Sequence, residues 1–168
     1  MAIFTRIALF SAALLLDAGG QGYAQTPQRT TATYDDWLVT CTTSAESQGQ
    51  KSCEMVQAQT VQQNLVGQIT LSRPVKDKPY RIFFQIPTNV WLPSGIKFVS
   101  ETSLPATFKW CGPGRCLADA DLGEPAVRNL RSRTEPGRVE YKDSEQHDVS
   151  LPVSFKGFGP ALDWMERP

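Results

Sequence analysis

Histidine is nearly missing from this chain: His147 is the single one in 168 residues. A Ser-His-Asp triad would have to be built around it, yet no G-x-S-x-G nucleophile elbow occurs. His147 sits in the charged stretch Ser144-Glu145-Gln146-His147-Asp148, where a solvated side chain is the expectation. Net charge is missing as well, because 17 basic side chains balance 17 acidic ones. A reader of nucleic-acid backbones carries a basic excess on one face, so no nucleic-acid partner is expected. There is no phosphate-cradling glycine loop and no dinucleotide fingerprint. Asp35-Asp36 would point to opposite faces of an extended segment, which is wrong for shared acid-base work. The run from Asp119 to Glu124 resembles half a calcium loop but lacks the third oxygen ligand and the terminal glutamate. Asp121 reads more simply as part of a turn before a helix. These absences set the expectation of a non-enzyme with no cofactor and no metal.

Long hydrophobic runs are scarce too. Ile7–Leu16 is a ten-residue apolar stretch with only Ser11 polar. That falls short of the roughly 20 residues a membrane span needs. Arg6 precedes it, and Gly22 and Ala24 stand at the −3 and −1 positions of a cut between Ala24 and Gln25. A positive start, a short apolar core and a small-x-small exit describe a signal peptide, residues 1–24. The polar stretch that follows, residues 25–33, reads as a flexible leader. The mature chain is expected to be exported, to periplasm or outer cell surface, with no transmembrane segment.

What is present is a core and four cysteines. Hydrophobic residues make up 40 % of the chain and aromatics 10 %, enough to fold. Cys41, Cys53, Cys111 and Cys116 form an even set, and in an exported chain disulfides are the default, with three connectivities open. The local pairing, Cys41–Cys53 with Cys111–Cys116, is favoured because each intervening segment is turn-forming; the shorter is Gly112-Pro113-Gly114-Arg115. Structural zinc prefers paired C-x₂₋₄-C knuckles, and a thioredoxin-like redox site prefers C-x-x-C. Neither spacing matches.

Short segments rich in β-formers recur between turn signals: 37–41, 53–59, 67–71, 80–86, 96–99, 106–111, 138–141 and 149–155. That spacing suggests a sandwich or barrel. Two stretches read as short helices, 124–131 and 159–165, each with proline near its start. Residues 34–167 are expected to form a single domain. Trp110, beside a cystine, is expected in the core. The Pro87–Pro93 loop holds Val90, Trp91 and Leu92, which either plug one end of the sheet or anchor a partner.

Taken together, several segments resemble a known family. They are Tyr34-Asp35-Asp36-Trp37-Leu38-Val39-Thr40-Cys41, Cys53-Glu54-Met55-Val56-Gln57, Ile86-Pro87 through Trp91-Leu92-Pro93-Ser94-Gly95-Ile96, Phe108–Cys116, and Leu151-Pro152-Val153-Ser154-Phe155-Lys156-Gly157-Phe158. The chain is similar to the invasion-associated locus B family of Gram-negative bacteria over roughly Tyr34 to Met165. The resemblance implies a mainly β, immunoglobulin-like antiparallel β-sandwich of the cell envelope with two short helices. It implies no catalytic residue. It also suggests a protein, envelope or host-surface macromolecule as partner, with a contribution to host-cell invasion or adhesion. The alternative is a periplasmic structural or assembly factor with no host role. One departure is Gly159-Pro160, where a Thr or Ser cap for the last helix is expected.

Overall fold

Alternation of side chains along each strand decides which face is buried. In the computed structural model, which describes residues 27–44, 49–74 and 77–167, the clearest case is β5 (Tyr80–Ile86). Tyr80, Ile82, Phe84 and Ile86 point inward and are buried, while Arg81, Phe83 and Gln85 face out. The expected signal peptide and residues 25 and 26 of the expected leader lie outside the described residues.

The other strands are β1 (Gln28–Tyr34), β2 (Trp37–Thr43), β3 (Lys51–Val61), β4 (Asn64–Ser72), β6 (Ile96–Val99), β7 (Ser103–Gly112), β8 (Arg115–Leu122), β9 (Gly137–Lys142) and β10 (Asp148–Val153). Two helices, α1 (Glu124–Arg131) and α2 (Phe158–Met165), complete the chain with a single 3-10 turn at Leu92–Ser94. All ten strands belong to one antiparallel sheet in the order β1-β2-β3-β4-β5-β8-β7-β6-β9-β10. The mainly β, antiparallel expectation holds and the sheet curls as a half-barrel; the sandwich itself is not confirmed. A run of segments in sequence does not say which strands pair, and here the order is continuous through β5–β8 and β7–β6.

The curl brings β10 against β3 without a backbone ladder. Side chains close that seam. The Gln57 amide donates to the Ser154 carbonyl (2.9 Å) and accepts from the Ser154 N–H (3.0 Å). Trp37 Nε1 donates to the same carbonyl (3.1 Å), and Gln59 donates to Gln57 (2.8 Å). Both glutamines are buried, and no fully buried side-chain N or O among the described residues lacks a hydrogen-bond partner, as burial of a polar group requires. Inside the curl an aromatic series, Trp37, Phe158, Phe155, Phe98 and Phe84, runs ring to ring at 5.2 to 6.4 Å.

Both disulfides form in the favoured pairing, each between residues directly opposite in a hairpin, β2–β3 and β7–β8. Their Cα–Cα distances, 4.0 Å each, suit the narrow non-hydrogen-bonded pair of an antiparallel ladder, about 4.5 Å.

Two expectations need correction. Residues 28–33, read as flexible leader, belong to β1 and pair with β2 from Gln28↔Thr43 to Tyr34↔Trp37. Helix α2 starts one residue earlier than expected, at Phe158. Its N-cap is Gly157 at φ 78°, with no side-chain cap hydrogen bond. A Cβ at position 157 would lie 2.1 Å from the Tyr34 carbonyl oxygen, so glycine is required by space as well as by φ.

Candidate functional site

Chain direction sorts the molecule into two ends. The β3–β4 turn, the segment from Pro87 to Gly95, the β7–β8 tip and the β9–β10 turn lie at one end. The helices and the β4–β5 connection lie at the other.

The loop end holds most of the exposed apolar surface. Among the described residues, Val61, Leu65, Trp91, Leu92 and Trp110 are exposed there, from 40 % for Trp91 to 62 % for Leu65; Leu38, on the outer face of β2, is the other large apolar side chain so exposed. Scattered single exposures need no explanation, but five of six falling at one end do.

The three residues of the Pro87–Pro93 loop part ways. Val90 is buried against the sheet end and bridges Asp143. Trp91 and Leu92 turn outward. Their backbone is held: Trp91 N–H donates to Lys142 O (2.9 Å), and the Ser94 hydroxyl and N–H both donate to Trp91 O (2.8 and 3.1 Å). Gly95 sits at φ 62°, where a Cβ would meet the Ala106 carbonyl oxygen at 2.9 Å. The plug and the outward anchor are thus neighbouring residues of one fixed loop.

Trp110, expected in the core, is exposed. Ala106 and Phe108 obey the alternation, but the register of β7 on β8 shifts between Phe108 and Trp110, so that Trp110 pairs with Leu117. This bulge adds one residue, Lys109, and turns the indole to the outer face. The ring then lies over Gly112, where a Cβ would fall 2.2 Å from its carbons.

Beside Ser94 and Gly95 a groove of about 360 Å³ opens between Lys97, Tyr141, Lys142 and Asp148. Lys142 pairs with Asp148 at 2.7 Å; that bond and the Lys142 charge, with a contribution from Lys97, hold the Asp148 carboxyl below its usual range. Burial raises the Tyr141 hydroxyl pKa above its ordinary value, and the Asp143 charge adds to it. Partial desolvation pushes the Asp143 pKa up, but hydrogen bonds from the His147 backbone and ring and the Glu145 N–H outweigh it, and the net shift is down. His147 is exposed, its Nδ1 3.3 Å from Asp143. The arrangement offers paired charges beside a partly buried phenol. Asp119 and Asp121 lie in β8 rather than in a turn: Asp119 is buried and pairs with Arg81, which also reaches Asp121 at 3.6 Å.

Residues 37–166 match the family model described as Invasion associated locus B (IalB) protein. The chain belongs to this family. An Invasion protein B homolog of Brucella abortus (strain 2308) is 31 % identical over 137 residues, covering 78 % of this chain and 76 % of the relative. A homolog from B. abortus biovar 1 (strain 9-941) matches equally. The crystal structure of invasion associated protein b from Bartonella henselae superposes with a TM-score of 0.70 at 19 % identity, over 81 % of this chain and 94 % of that one. That likeness establishes a shared fold. No described helix is long and apolar enough to cross a membrane.

Sequence reasoning missed Val61, Leu65 and Arg115. The first two flank the turn Gln62-Gln63, whose residues both have positive φ, 49° and 67°. Such turns are signalled by Asn-Gly or Asp-Gly, and Gln-Gln carries no such mark.

Proposed function

We propose that this IalB-family protein is an exported, non-enzymatic protein of the cell envelope that binds a macromolecular partner through its loop end. One observation carries the reading: of the six exposed large apolar side chains among the described residues, five lie at that end, while α1 and the C-terminal end of α2 pack at the other. Burying such surface is worth roughly 25 cal/mol per Å², and tryptophans are the side chains that most often dominate an interface. The rigid backbone around Trp91 keeps the ordering cost of binding low. The names of the Brucella relatives support invasion of host cells as the setting.

A photo-crosslinking side chain placed at position 91 or 110, and as control at exposed Arg128 on α1, tests this in the native cell. Adducts from 91 or 110 and none from 128 are expected. Equal labelling from all three, or from 128 alone, overturns the loop end as the binding end. Protease treatment of intact cells then separates surface display from a periplasmic assembly role.

A further inference from the structure

Two hairpin tips and the end of β5 enclose a second groove at the loop end. Leu65 and Val66 form one wall, Pro113 and Arg115 the other, and Gln68 and Gln85 line it between them; its volume is about 280 Å³. No carboxylate lines it, and Arg115 is its single charged side chain. Arg115 has no ion pair among the described residues. Gln85 is likewise without a side-chain hydrogen bond there, while Gln68 spends its amide on Thr70 Oγ1 (3.2 Å) and keeps its carbonyl. The groove therefore offers a free guanidinium, a free amide that both donates and accepts, one further acceptor and aliphatic walls. No aromatic ring lines it, so a sugar ring would find no stacking platform there.

We propose that this groove binds an extended, apolar peptide segment bearing a carboxylate. The carboxylate pairs with Arg115, which presents a planar fork of donors to it. The Gln85 amide matches the alternating donor and acceptor of an extended backbone, and aliphatic side chains of the segment lie on Leu65, Val66 and Pro113. The proposal rests on the loop end being the binding end, and names the chemistry of the partner.

The test uses the purified protein and two labelled peptides, acetyl-Ala-Val-Asp-Val-Leu-amide and its asparagine counterpart, read by fluorescence anisotropy. Wild type is expected to bind the acidic peptide at least about tenfold more tightly, the scale of one charge-assisted hydrogen bond. Arg115→Gln should erase that preference at an unchanged thermal midpoint, since the Arg115 side chain is exposed at the first residue of β8, and Arg115→Lys should keep part of it. Leu65→Ser should weaken both peptides alike. Equal affinity for the two peptides, a preference that survives Arg115→Gln, or capture of acidic oligosaccharides in place of both peptides overturns the proposal. If peptides are ignored while position 91 still crosslinks a cellular partner, the groove assignment falls and the binding end stands. Loss of both removes both.

Discussion

Where β4 turns toward β5, α1 and α2 lay Val127, Leu130, Phe158, Leu162 and Met165 into the curl, and all are buried. A polar network ties the helices to the β4–β5 connection. Arg73 pairs with Glu124 at 2.6 Å, sits over the Tyr80 ring at 4.6 Å and reaches Glu166, which also bonds the Tyr80 hydroxyl. At the opposite end four turns meet with no helix over them, and Trp91, Leu92, Val61, Leu65 and Trp110 face solvent. If the loop end is the binding end proposed above, the contrast separates stability from recognition in space. Burial at the helix end and along the seam holds the sheet, so the loop end can keep apolar side chains out of the core.

Exchanging equivalent residues between the ends breaks that comparison most sharply. Trp37→Ala, in the buried aromatic series beside α2, is expected to cost about 3–5 kcal/mol by urea denaturation. Trp91→Ala should cost less than about 1 kcal/mol and reduce partner capture. Similar losses for the two would show that Trp91 is part of the core.

The disulfides also divide between the ends. Chain entropy assigns about 3 kcal/mol to the loop closed by Cys41–Cys53 and about 2 kcal/mol to that closed by Cys111–Cys116. Paired serine variants should follow that order in urea midpoint. A reversed order would mean that the loop end depends on its staple more than the helix end does.

The seam comes next. Gln57→Ala removes both side-chain bonds to Ser154 and should cost about 1–3 kcal/mol, with faster hydrogen exchange in β10. A smaller effect is expected at the β3–β4 tip, in the opposite direction. Replacing Gln62-Gln63 by Asn-Gly should stabilise the protein by up to about 1 kcal/mol, since both positions hold positive φ. If it does so while weakening partner capture, the strained turn serves recognition.

The smallest effect is in pH. Tyr141 has a raised pKa, so above its ordinary 10.0 the folded state retains a proton that the unfolded state has released. Stability therefore falls as pH climbs through that region, and Tyr141→Phe should flatten the alkaline limb of a midpoint-against-pH curve. An unchanged limb would place Tyr141 in a wetter site than the groove implies.

Much of this architecture was legible from residues, and the rest failed for identifiable reasons. The cystine pairs followed from turn-forming segments between the cysteines. Helix α1 followed from Pro125 near its start and from Val127 and Leu130 on one face. Strand β1 escaped because Gln-Arg-Thr-Thr-Ala-Thr-Tyr has no apolar alternation; as an edge strand it is mostly exposed. The curl escaped because it depends on β5 meeting β8 and on two glutamines turned inward, where alternation alone expects apolar residues. Trp110 was misplaced by a single bulge, which no local signal announces. At the candidate site, Trp91 and Leu92 were visible as apolar residues between prolines, whereas the Arg115 groove exists only once two hairpin tips are brought together.

The position of the cystines has a kinetic consequence. Each joins strands that are consecutive along the chain, so each pair of thiols meets by closing one short hairpin. Loops of about ten residues close in about 10–100 ns, far sooner than distant strands find each other. The native thiol partners therefore meet repeatedly before β5 pairs with β8 and β10 reaches β3, while the bonds themselves form at the slower pace set by the oxidant. Once made, each bond forbids a one-residue slip of its hairpin, a slip that would send every inward side chain to the wrong face. The two oxidised hairpins then act as pre-registered templates on which the remaining strands align.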